Sequence, residues 1–262
     1  MGSRKLLGGL AAAVLLLVIG GGAFWYFVIR DDAPEKATLS SAIDSIGTSA
    51  SASPGAASTA SGTGATPGAA ATSATTAATT TSASPGIAGT WVPDTTKEAF
   101  VGYRVVEELA RVGTATAVGR TTGVTGSVVM TANSLQSAKI TADMTTLKSD
   151  SGMRDGQLRN QAIEYSKFPT STFEVTEAMP LPEGLASGQA VKTTLKGKLT
   201  LHGVTKDVQV PVEAQLKDGL LVVVGNIDIK FADYAINKPQ GASVLSIEDH
   251  GIMELQLILK KG

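Results

Sequence analysis

A two-residue hydrophobic repeat governs the C-terminal two-thirds of the chain, and it restricts that part to paired strands. In 191–201, Val191, Thr193, Leu195, Gly197, Leu199 and Leu201 share one face, and Lys192, Thr194, Lys196, Lys198 and Thr200 share the other. The next run sets Val208, Val210, Val212, Ala214 and Leu216 against Asp207, Gln209, Glu213 and Lys217. His202-Gly203 separates the two runs and Asp218-Gly219 ends the second. Such pairs make tight turns between antiparallel strands, because positive φ at both residues matches the strand twist. A further run covers Leu220 to Phe231, and the last places Met253, Leu255, Leu257 and Leu259 inward. Earlier candidates lie at 99–107, 123–131, 135–144 and 172–178. The best-defined of these strands are about twice the usual five or six residues. Long antiparallel strands with one apolar face tend to curl and close, which removes exposed edges. One helix is expected near 151–163, N-capped by Ser149 or Ser151, with Leu158, Ala162 and Ile163 as its apolar contacts and Pro169 limiting its continuation. The expected class is all-β, an extended antiparallel barrel with one short inserted helix.

The residues before the barrel are of two other kinds. Leu6 to Ile29 carries no charge, and as a helix it would span roughly 36 Å, enough for a hydrocarbon core of about 30 Å. Phe24-Trp25-Tyr26-Phe27 suits the outer interface, and Arg4 and Lys5 precede the span. The positive-inside rule then makes 1–5 cytoplasmic, 6–29 a single transmembrane signal-anchor helix, and the rest extracytoplasmic, in the cell envelope. The alternative is a signal peptide cut after Gly21-Gly-Ala23, which would secrete the protein. Residues 30–89 read as a disordered linker: from Ser45 to Ala88, 42 of 44 residues are Ala, Ser, Thr, Gly or Pro. Such a composition buries too little apolar surface to offset its ordering entropy. As a flexible coil the linker would reach about 40 Å, and fully stretched about 190 Å. Residues 90–262 are long enough for one well-buried core.

Composition excludes several chemistries. With no Cys, thiolate nucleophiles, disulfides and Cys-ligated metals are ruled out, and a net charge of −1 argues against nucleic acid. His202 and His250, both at turns, are too few and too far apart in sequence for an evident metal site. Phosphate-binding glycine loops and the G-x-S-x-G elbow are absent from the domain. No catalytic residue, metal or cofactor is therefore expected. The one polar cluster, Met153-Arg154-Asp155-Gly-Gln157-Leu158-Arg159-Asn160, has two readings. Arg154 and Arg159 could hold an anionic headgroup at a barrel mouth, or the segment is a solvated helix with local ion pairs.

Several segments together match a known pattern. Trp91-Val-Pro-Asp94 resembles an opening W-x-x-D, and Arg154-Asp-Gly-Gln-Leu-Arg159 is similar to R-D-x-x-L-R. Phe168-Pro169, Thr172-Phe173, and Gly197-Lys-Leu-Thr-Leu-His-Gly-Val-Thr205 follow in the matching order, and Lys230-Phe-Ala-Asp-Tyr-Ala-Ile236 comes last. From about Gly89 to Leu259 the chain resembles the YceI-like domain family, often described as lipid- or polyisoprenoid-binding. Gln157 stands where many members carry His, and Ala235 where a Gly is usual. The resemblance implies a lipocalin-like barrel with an internal apolar cavity, export to the envelope, and no known catalytic residues.

Combined with the alternation, it gives a candidate lining. The strand positions are Leu195, Leu199, Val210, Ile227, Ile229, Leu255 and Leu257. The helix adds Leu158, and Phe100, Phe168, Phe173 and Phe231 are the aromatic candidates. A prenyl or acyl chain suits such walls, held by apolar area at about 25 cal/mol per Å². The alternative is a barrel filled by these side chains, acting through its outer surface as an envelope interaction module. The expected partner is a long-chain lipid or isoprenoid; a homodimer is left open.

Overall fold

The alternation is realised as strands in the computed structural model, which describes residues 33–48, 86–110, 113–241 and 244–262. In chain order these are β1 (Gly89–Pro93), β2 (Phe100–Leu109), β3 (Gly113–Thr121), β4 (Val124–Met130), β5 (Ser134–Asp143), β6 (Lys148–Ser149) and β7 (Thr170–Val175). There follow β8 (Met179–Pro180), β9 (Val191–Leu201), β10 (Val204–Lys217), β11 (Leu220–Lys230), β12 (Val244–Ile247) and β13 (His250–Lys261). Among the described residues two α-helices accompany them, α1 (Leu39–Thr48) and α2 (Gly152–Gln157).

Eight strands form a closed antiparallel ring, β1–β4–β5–β7–β9–β10–β11–β13, with β13 returning to β1. β13 is long enough to take two partners on one edge. Its last residues pair with β1, from Trp91↔Lys261 to Pro93↔Leu259, and its first half pairs with β2, from Gln256↔Phe100 to Ile252↔Arg104. Because β1 has only five residues, the β2–β3 hairpin, extended by β6, fills the wall at the other end of the barrel. We call the β1 end upper and the β2–β3 end lower. The expected turns are present: His202 and Gly203 have φ of 51° and 74°, and Asp218 and Gly219 have 51° and 77°. They join Leu201 to Val204 and Lys217 to Leu220 in two-residue hairpins.

A glycine on β9 shows how tightly the wall meets its contents. A Cβ on Gly197 would fall 2.3 Å from the Glu174 carbonyl oxygen and 2.8 Å from the Phe173 ring, which lies across it. Gly197→Val should therefore cost at least about 1–3 kcal/mol in a denaturant titration. A variant as stable as the parent would show that the ring has room to move.

The expected helix near 151–163 exists but changes type. The Ser151 side chain accepts from the Arg154 amide as N-cap, α2 runs six residues, and Leu158–Ala162 widen into a π turn. The amides of Ile163 and Glu164 both donate to the Leu158 carbonyl.

Within the tract expected to be a structureless linker, residues 33–48 correct that expectation. Leu39, Ala42, Ile43 and Ile46 recur at helical spacing and pack α1 onto Val222 and Val224, on the outer face of β11. Thr38 caps the helix reciprocally: the Ser41 amide donates to Thr38 Oγ1 at 3.2 Å, and the Thr38 amide donates to Ser41 Oγ at 3.1 Å. Ahead of it, the carbonyls of Pro34 and Glu35 accept from Arg104 and Arg120 on the barrel's outer face. Residues 33–48 are thus a strap. A form beginning at residue 86 should be about 2–3 kcal/mol less stable than one beginning at 33, since Val222 and Val224 lose their cover. Equal unfolding midpoints for the two forms would rule out a stabilising strap. The membrane-anchor expectation at 6–29, and the linker expectation over 49–85, lie outside the described residues. Among the described residues no helix is long and apolar enough to cross a membrane.

Candidate ligand cavity

Successive inward residues of the ring leave two voids. The upper one is walled by Val128 and Met130 of β4, Leu135, Ala138 and Ile140 of β5, and Phe173 of β7. Leu195 and Leu199, Val210 and Val212, Leu221 and Val223, and Leu255 and Leu257 complete it. Its cavity volume is about 120 Å³, and almost all of its exposed wall is apolar. Trp91, 1% exposed, belongs to the apolar cluster around this void; its Nε1 donates to the Ile87 carbonyl at 2.8 Å.

The lower void, with a cavity volume of about 120 Å³, lies among β2, the helical segment and the loop after β11. Its apolar wall includes Leu158, Ala162, Leu201, Ile229, Phe231 and Ile236. Unlike the upper void it is lined by charged residues, Glu107, Arg154 and Lys238. Arg154 Nη2 donates to Glu107 Oε1 at 2.7 Å, and Nη1 donates to Asp150. Burial by itself would lower the Arg154 pKa, but the hydrogen bond and charge of Glu107 more than offset it. Tyr103 lines the same void beside this pair, and burial pushes its phenol above the ordinary value. Val101, Ser171 and Met253 line both voids and so form a waist between them.

Nine of the twelve expected lining residues face a void. Phe173, Leu195, Leu199, Val210, Leu255 and Leu257 line the upper one, and Leu158, Ile229 and Phe231 the lower. Three do not. Phe100 is buried on the outer side, its ring 4.0 Å from the Arg120 guanidinium carbon, because its neighbour Val101 is the inward residue. Phe168 stacks edge-on to His202, centroids 4.4 Å apart, and covers Gly203. Ile227, half-buried, packs against the cluster of Leu199, Leu201, Ile229 and Tyr234 and lines neither void.

Of the two arginines, only Arg154 reaches the void. Arg159 is exposed, donates to Tyr165 Oη at 3.3 Å and lies over that ring at 5.4 Å. His202 is a structural turn residue: Nδ1 lies 3.0 Å from the Tyr234 carbonyl and Nε2 3.2 Å from Glu164 Oε2. The sequence reading missed Tyr103, Glu107 and the waist. The signal was present in β2, where Val101, Tyr103, Val105 and Glu107 alternate inward and a carboxylate interrupts an otherwise apolar face.

A closed antiparallel barrel with an apolar interior and one charged end defines a barrel of the lipocalin-like kind. The chain belongs to the YceI-like domain family, whose pattern matches residues 91–258. Two solved structures share the fold. One is a polyisoprenoid binding domain from Saccharophagus degradans implicated in plant cell wall breakdown, 18% identical, with a TM-score of 0.52, covering 67% of this chain and 99% of that domain. The other is Burkholderia cenocepacia BcnA, 18% identical, with a TM-score of 0.50, covering 63% of this chain and 98% of that protein. Among curated protein sequences none matches.

Proposed function

We propose that this protein is a non-enzymatic, extracytoplasmic binding protein that holds an isoprenoid or another long-chain lipid inside its barrel. The observation that carries the reading is the pair of voids, one apolar and one ending at Glu107 and Arg154, meeting at a shared waist. An amphipathic molecule has that distribution of character: its chain occupies the upper void and its polar end the lower. Affinity rests on the apolar area removed from water. A filled barrel acting only through its surface would have no such interior space. Membership of a family with a polyisoprenoid binding domain among its solved folds supports the same ligand class. The extracytoplasmic placement rests on the apolar run 6–29 and the basic residues before it, which we assign as the membrane anchor.

Native mass spectrometry of the purified protein, followed by organic extraction, tests the ligand. A co-purifying long-chain lipid is expected, and re-addition of prenyl lipids to the extracted protein should raise its melting temperature. Protein that carries nothing and ignores polyprenols, quinones and fatty acids would sink the proposal. Protease protection in intact cells tests the placement, since a barrel shielded from external protease after outer-layer permeabilisation contradicts it.

A further inference from the structure

The wall of the upper void is incomplete as a sheet. β7 stops at Val175, opposite Gly197, so β9 from Val191 to Lys196 pairs with β10 on one edge and, among the described residues, with no strand on the other. The facing edge of β5, before Lys139, meets only the two residues of β8. The opening between these edges is covered by 176–190, a segment whose Met179, Leu181, Pro182 and Leu185 line the void. It is held far less firmly than a ring strand. β8 offers two register pairs, Ser134↔Pro180 and Leu135↔Met179, and Pro180 has no amide to donate. The Leu181 amide donates to the Asn133 carbonyl at 2.8 Å, and Gln215 Nε2 to the Gly188 carbonyl at 2.8 Å. The turn that follows is closed on itself, the Gln189 amide donating to the Gly184 carbonyl at 2.9 Å and the Gly188 amide to the Leu185 carbonyl at 3.0 Å. Apolar burial does the seating: Leu185 is 4% exposed, and Met179 and Leu181 pack against the same core cluster.

Volume shows why this matters. The upper void holds about 120 Å³, and a cavity of about 150 Å³ takes a single benzene. A chain of several isoprene units therefore enters only if part of the wall moves outward. We propose that 176–190 is a lid, which parts from β5 along β8 and admits a long apolar chain sideways into the upper void. The inference rests on the reading that the barrel holds a long-chain lipid, and adds the route by which the chain enters. Opening breaks few backbone bonds, and an apolar chain sliding beneath Met179, Leu181 and Leu185 restores the burial that opening costs. Parting two ring strands such as β9 and β10 would instead break a ladder that runs unbroken from Val191↔Ala214 to Leu201↔Val204. Elements that open in a folded protein are those with few bonds to their surroundings.

The test uses the full-length protein, which contains no Cys. Ser134→Cys with Pro180→Cys places two thiols on directly opposed residues of an antiparallel pair, about 4.5–5.5 Å apart at Cα and within disulfide reach. Uptake of a fluorescent long-chain polyprenol from detergent micelles is followed in the oxidised and reduced states of this one variant. The oxidised state is expected to take up lipid at least about tenfold more slowly, with reduction restoring the rate. Native-state hydrogen exchange on the unmodified protein gives a second reading that needs neither disulfide nor ligand. The Leu181 amide is expected to exchange at least about a hundredfold faster than the amides of the β9–β10 ladder. Equal uptake rates in the two redox states overturn the lid, and so does a Leu181 amide as slow as those of the ladder. If the unmodified protein takes up no prenyl lipid at all, the lipid-holding reading fails and the lid's role in admitting lipid fails with it.

Discussion

Glu254→Gln is expected to lower the unfolding free energy by about 3–5 kcal/mol, the usual cost of stranding a buried charge. Glu254 is 2% exposed on the outer side of β13 and bridges two arginines, Arg104 Nε at 2.9 Å from Oε2 and Arg120 Nη2 at 2.9 Å from Oε1. The glutamine keeps the shape but leaves two guanidiniums without a counter-charge, and Arg104 is itself only 8% exposed. The Phe100 ring stacks on Arg120, and the strap carbonyls of Pro34 and Glu35 accept from both arginines, so the loss extends to the strap. At roughly 2–4 °C per kcal/mol for a domain of this size, the melting temperature should fall by about 6–20 °C. A change under about 1 kcal/mol would mean that the triad behaves as an exposed ion pair and that its burial is without consequence.

The second large effect concerns the waist. Met253→Trp is expected to abolish retention of ligands long enough to occupy both voids, at least tenfold in affinity, while short-chain ligands keep theirs. Val101, Ser171 and Met253 are the residues common to the two voids, and Ser171 is tied back by its hydrogen bond to the Thr200 carbonyl at 3.1 Å. Met253 is the adaptable member, an unbranched side chain that can change rotamer as a chain threads past. An indole there blocks the passage from one side. Equilibrium dialysis with a matched pair of short and long prenyl alcohols reads the difference. If the variant binds both as the parent does, the chain does not cross the waist.

The strands that bound the upper void were legible because period-2 alternation reports one buried face: β9 and β10 alternate over ten residues or more, and β13 alternates from Met253 to Leu259. β3 was not, since Gly113-Thr-Ala-Thr-Ala-Val-Gly-Arg-Thr121 has small residues where alternation would show. Those residues are small because Tyr103 lies against Gly119, and Ala117 leaves space at the lower void. Phe100 was assigned inward by hydrophobicity alone; register decides otherwise, since its neighbours Val101 and Tyr103 take the inner side. The arginines illustrate the same point on a helix. Arg154 and Arg159 are five residues apart, about 140° round a helix, so they face different sides of it. The strap escaped because its four apolar residues sit beside a low-complexity tract and were averaged into it, although their spacing and the Thr38 cap are a helix signature.

That strap also alters what the Ala/Ser/Thr-rich tract connects. Residues 33–48 are seated on the barrel wall, with Lys97 Nζ donating to the Ile46 carbonyl at 3.4 Å, and the chain is held again at Gly86 and Ala88 by Lys261. The described residues on either side of 49–85 are therefore held by one and the same barrel. A change in the number of residues between 48 and 86 should therefore leave α1 seated on Val222 and Val224.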